Sequence, residues 1–269
     1  MLDFNHCAHS AIRAALAHLL GSLLVAALAA TLVFLVWYPH PYGLLSGGLH
    51  LFLILVGVDV VCGPLLTLVL FNPRKPRREL VTDLVLVALI QLGALAYGLH
   101  TVYEARPLYL VHEADRFRVI AWPDFGDGAA ETEARAAIAR LDASLRPHPF
   151  KGPVAVGIRE PKDAKERQDV MFESMAGGRD YAQRPGFYRL YDDAAYRPTA
   201  LGRARPLAAF VARYPGTVDA AGQLLRPHRV APDQALFLPV LHRQDWVAVL
   251  DPATARILGF LPGDGFAVP

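Results

Sequence analysis

Cysteine is scarce. Of 269 residues two are cysteines, Cys7 and Cys62, one ahead of the first long apolar run and one inside the second. No disulfide can therefore staple the second half of the chain, which must fold on its own core; an extracytoplasmic location stays open, because disulfides there are common and not obligatory. Charge is sparse as well, at 19% against 54% hydrophobic residues, a balance unusual for a soluble protein. The formal net charge of +2 names no partner, and the arginines beyond residue 100 interleave with Asp and Glu in no single stripe, which speaks against nucleic acid. There is no Gly-x-Ser-x-Gly, no HExxH and no Walker loop, and the Gly-Asp-Gly triplets at 126–128 and 263–265 read as turns. Three ligand types, His6, Cys7 and His9, sit on the N-terminal tail, where a solvated tail explains them better than a metal. No enzyme activity, catalytic residue, cofactor or metal is expected.

What is plentiful is long apolar sequence, nearly all of it before Leu99. Residues 1–13 form a short polar tail, and Arg13 is the last charge before a run from about 14 to 38, which continues past the small triplet Ala27-Leu28-Ala29 and so reads as an uncleaved anchor. Trp37 and Tyr38 close it as interfacial aromatics, and the connector from Pro39 to Gly48 has neither Lys nor Arg. A second run covers about 49–71, long enough at 1.5 Å per residue to cross a core of about 30 Å. It is followed by a basic loop, 72–80, with Arg74, Lys75, Arg77 and Arg78; a third run spans about 81–99. Arg13 and the loop cations give an inner-membrane protein with the N-terminus in the cytoplasm and residues 102–269 in the periplasm.

From Arg106 the pattern shifts to short alternating segments. Strands are expected at 108–113, 116–122, 154–158 and 187–191, with three more in the tail from Ala235. Helices are expected at 131–145, at 164–175 with Pro161 at a first helical position, and at 206–214. The fold class is α+β: an N-terminal three-helix transmembrane bundle followed by a mixed α+β periplasmic domain.

Asp59 is the sharpest signal, since an ionisable residue at bilayer depth is costly and faces protein or water. It lies about 18 Å from the cytoplasmic end of its helix, and Gln91 about 15 Å from the same end of the third, which makes them candidate partners; His18 lies too near the cytoplasm. Asp59 either locks the three helices together, contacts a partner's transmembrane helix, or moves ions or protons. Catalysis with Asp83 is disfavoured, as that residue lies roughly 12 Å nearer the cytoplasm. Gly63-Pro64 should bend the second helix and open a notch for a close-packed helix.

Several stretches resemble one family: LVFLVWYP (32–39), SGG (46–48), LFLILVGVDVVCGPLLTLVLFNPRKP (51–76), IQLGALAYGLHTVYEARPLYLV (90–111) and DRFRVI (115–120). They are similar to the TfpX/TfpZ-type type IV pilin accessory proteins, bacterial inner-membrane proteins encoded with pilin genes. The resemblance implies an accessory role in pilus biogenesis, supporting the stability or assembly of a cognate type IV pilin, with other assembly components and the lipid bilayer as further partners. It brings no enzymatic activity and no cofactor. The chain lacks the short leader, Gly-Phe and early Glu of a pilin, as suits a partner. On this expectation Gly57, Asp59, Gly63, Pro64 and Gln91 line the surface that receives the pilin helix, while the periplasmic domain meets the pilin head. The rival expectation is an oligomeric transporter or channel subunit using Asp59 and Gln91 on a polar path.

Overall fold

The computed structural model describes residues 2–72 and 74–268, with side chains from His9 onward. The apolar runs become three helices long and apolar enough to cross a membrane among the described residues: α1 (Leu2–Leu32, prolonged by a wide π turn at Val33–Trp37), α3 (Gly48–Leu70) and α4 (Arg77–Glu104). Both α1 and α4 run beyond the expected spans: helix extends into the N-terminal segment expected to be a polar tail, and α4 includes Arg77, Arg78 and Glu104, whose polar side chains suit the lipid headgroups. Between α1 and α3 a single helical turn, α2 (Tyr42–Leu45), occupies the connector.

The bundle packs through small residues and aromatics. Tyr38, 1% exposed, lies against Gly48, where a Cβ would collide with its ring, and its hydroxyl donates to the Val102 carbonyl at 3.0 Å. Trp37 meets Tyr103 edge to face at 5.1 Å, and Phe34 meets Phe52 in the same way. Gly98 makes room for the Leu55 side chain.

Residues 105–268, together with the connector 41–47, form a second unit. Its strands are β1 (Tyr109–Glu113), β2 (Arg116–Ile120), β3 (Val154–Ile158), β4 (Tyr188–Leu190), β5 (Arg205–Pro206), β6 (Leu236–Leu241), β7 (Trp246–Leu250) and β8 (Ile257–Pro262). Among the described residues they make one mixed sheet in the order β4-β3-β1-β2-β6-β7-β8, with β5 on the first residues of β6. The β1–β3 and β2–β6 pairs are parallel and the others antiparallel. Only Phe117–Val240 and Arg118–Leu241 join β2 to β6, so a narrow waist separates two cores.

In the first core Tyr109, Val111, Ile120 and Val156 pack against α5 (Ala129–Ala139) through Ala134 and Ile138. The expected helix 131–145 breaks after Ala139 and resumes as a 3-10 turn at Ala143–Leu145, which still delivers Leu145 to the core. On the other sheet face Phe117, Tyr191, Tyr196 and His112 form a cluster of ring contacts. Gly157 permits it, since a Cβ there would enter the Tyr196 ring. With both faces covered, β1 is buried from Tyr109 through His112. α6 (Ala164–Met175) is capped by Asp163, whose carboxylate accepts the Glu166 N–H at 2.7 Å, so the helix starts after Pro161 and not on it. A further helical turn, α7 (Pro198–Leu201), precedes β5.

The second core packs Phe210 of α8 (Leu207–Arg213) and Leu225 of α9 (Val218–Leu225) on Phe237, Val247 and Val249. Gly259 leaves space for Leu224 of α9. The connector occupies the opposite face of this half: Tyr42 meets Phe260 at 5.9 Å, Leu45 is fully buried, and the Gln244 N–H donates to the Leu45 carbonyl at 3.2 Å.

Candidate functional site

The site is a cleft of about 280 Å³ within the helix bundle, walled by His18, Gly21 and Ser22 of α1, Asp59 of α3, and Gln91 and Leu92 of α4. Its floor follows from Gly63, which has no side chain to keep a neighbour away. The Gln91 carboxamide fills the space that a Cβ on Gly63 would take, and its Nε2 donates to the main-chain carbonyl of Asp59 at 3.0 Å. Gln91 Oε1 is buried without a partner among the described residues. The expected Asp59–Gln91 pairing thus goes through the Asp59 main-chain carbonyl and not through its carboxylate.

The other expected residues fall in different places. Gly63 is buried under Gln91, and Pro64 is half-buried and continues α3. Gly57 is exposed, has open space where a Cβ would point, and does not line the cleft. His18 is closer to the site than depth alone suggested: it lines the cleft, and its Nδ1 meets Thr67 Oγ1, 1% exposed on α3, at 2.5 Å. Its spacing from Ser22, four residues along α1, was the available signal, because such pairs share a helix face.

Of the topology determinants, Arg13, Arg74, Arg77 and Arg78 are exposed, while Lys75 pairs with Asp83 at 2.6 Å. Asp83 is thereby committed to the loop. Among the described residues no cluster of His, Cys, Asp or Glu could hold a metal; the side chains of His6 and Cys7 lie outside the described residues. Gly126, Gly128 and Gly263 adopt positive φ, as the turns at both Gly-Asp-Gly triplets require.

Residues 7–47, covering most of α1 and the connector, match the fimbrial assembly protein FimB family. Over 238 residues, 87% of this chain and 88% of the relative, the chain is 35% identical to the fimbrial assembly protein, serogroup I, of Dichelobacter nodosus. The chain belongs to the fimbrial assembly protein family. This type IV pilus accessory family is the one the sequence resemblance indicated. The serogroup E1 protein of the same organism is 34% identical over the same length, and that of serogroups C1 and C2 is 48% identical over 107 residues, 40% of this chain and 82% of that relative. No solved structure matches.

Proposed function

We propose that this protein is an inner-membrane accessory factor of type IV pilus biogenesis that holds a cognate pilin before polymerisation, by reversible contact with the pilin's transmembrane helix and its periplasmic head. The observation that carries the reading is the cleft between α1, α3 and α4, with Asp59 in its wall and Gln91 bonded to the Asp59 main-chain carbonyl. A helix laid along α1, α3 and α4 would meet a largely apolar trough with His18, Ser22, Asp59 and Gln91 in its walls. Interhelical polar contacts in membranes are worth about 0.6–2 kcal/mol, weak enough for release into a growing fibre.

The orientation rests on two supports. The connector is part of the core of residues 105–268, so both lie on one side of a three-span anchor. The opposite side carries Arg74, Lys75, Arg77 and Arg78, the mark of a cytoplasmic loop. The names of the relatives point to an assembly role rather than to catalysis. Co-purification of the cognate pilin with the wild-type protein, with Asp59→Asn and with Asp59→Ala tests the reading: recovery should fall in the alanine variant, and unchanged recovery in both removes Asp59 from the interface.

A further inference from the structure

A second cavity lies wholly within the sheet domain. It is a polar groove of about 520 Å³ whose walls include Ala105, Arg118, Asp124, Asp180, His242 and Arg243. One oxygen of each acid is held by the backbone: Asp124 Oδ2 accepts the Ala121 N–H at 2.7 Å and Asp180 Oδ1 accepts the Tyr181 N–H at 2.8 Å. The two arginines are less engaged. Arg118 has its nearest carboxylate, Glu113, at 3.9 Å, and Arg243 makes no ion pair among the described residues. His242 Nδ1 is buried without a partner among them. The groove thus presents two guanidinium groups and two carboxylates, with little mutual neutralisation.

Its level relative to the bilayer follows from the chain. Ala105 directly follows Glu104, the last residue of α4. That helix has 28 residues, about 42 Å at 1.5 Å per residue, which matches the roughly 40–45 Å of a bilayer with its headgroups. With Arg77 and Arg78 among one set of headgroups, Ala105 stands among the other. Arg243 lies over Gly47, its Cδ 3.2 Å from where a Cβ would stand, and Gly47 directly precedes the first residue of α3. The groove therefore adjoins both chain segments that leave the domain for the membrane.

We propose that this groove binds the headgroup of a zwitterionic, primary-amine phospholipid, with the phosphate on Arg118 and Arg243 and the ammonium on Asp124 and Asp180. A guanidinium fork matches a phosphate in shape and charge, and a primary ammonium brings three donors to carboxylate oxygens. A choline headgroup has no donor for the acids. A glycerol headgroup leaves them without a cation. The site is separate from the bundle cleft and needs only that α4 crosses the bilayer, so it stands or falls independently of pilin binding.

The test is lipid retention by the purified full chain, read by native mass spectrometry after exchange into phosphatidylethanolamine, phosphatidylcholine or phosphatidylglycerol in turn. Phosphatidylethanolamine should remain bound at about one per chain and be retained roughly tenfold better than the other two, the worth of one charge-assisted hydrogen bond. Arg243→Gln, at an exposed position, should lower retention of all three, and Asp124→Asn should remove the preference while preserving a cap acceptor. Thermal unfolding checks that each variant is folded. Equal retention of the three lipids, or no change in a folded Arg243→Gln, overturns the proposal. So does displacement of the lipid by millimolar phosphoethanolamine or inorganic phosphate, which would make this a soluble-ligand site.

Discussion

The carboxamide of Gln91 stands where a side chain on residue 63 would have to be, so a glycine on one membrane helix and a glutamine on another specify each other. Gly63→Leu should destabilise the bundle by about 1–3 kcal/mol through overpacking. Gln91→Ala in the same chain should restore much of the loss. Unfolding of the full chain in mixed micelles, run as a double-mutant cycle, reads the coupling; additive losses would mean that the two positions do not share the space.

His18 and Thr67 form the other polar link across the bundle, between α1 and α3. Thr67→Val keeps the shape and removes the hydroxyl. It should cost about 0.6–1.7 kcal/mol, the range found for such bonds in membranes. The same micelle unfolding measures it, and His18→Phe should produce a loss that is not additive with Thr67→Val.

The connector predicts a stability effect far away in sequence. Tyr42 is buried on Phe260 of β8 although more than two hundred residues separate them. Tyr42→Ala should destabilise residues 105–268 by about 3–5 kcal/mol, as expected for truncating a buried aromatic. Hydrogen exchange along β7 and β8 in the full chain detects it; unchanged protection there would remove the connector from the domain's core.

His112 gives a pH signature. It is 1% exposed, its Nδ1 lies 2.8 Å from the Tyr196 hydroxyl, and burial lowers its pKa from 6.5 to about 4. Between those values the unfolded chain binds a proton that the folded domain refuses. Its contribution is therefore complete above pH 6.5 and declines as pH falls toward 4, by about 3 kcal/mol at 1.36 kcal/mol per unit. Comparing wild type with His112→Asn across pH 7 to 4.5 isolates it from the carboxylates. The wild type should lose more stability over that window, and parallel curves would place the ring in contact with water.

Much of this architecture is legible in the sequence because local physics sets it. The strand at 154–158 and the helix at 164–175 appear as expected, as do the three tail strands, each bounded by turn-forming residues. The first turn of α6 is set by Asp163, and not by Pro161 as a first helical residue, because Asp163 offers the side-chain acceptor that a helix start needs. α9 is not legible in the sequence, because it is short, carries Gly222 in its interior and gains its burial from contact with the sheet. In the bundle, depth arithmetic found Asp59 and Gln91. It could not show that Gln91 bonds a backbone carbonyl, which depends on the gap at Gly63, nor that His18 joins the same cleft, which depends on how α1 lies on α3. The burial of Tyr42 and Leu45 is a long-range contact that a Pro-rich turn does not announce.

Site-specific photo-crosslinking from position 22 tests the central claim most directly. Ser22 of α1 and Asp59 of α3 line the same cleft, and a probe at position 22 samples whatever occupies it. In cells making the cognate pilin, adducts should form with the pilin's transmembrane helix and diminish with Asp59→Ala. Adducts with lipid alone, in cells where pilin is abundant and the protein is folded, would contradict the account.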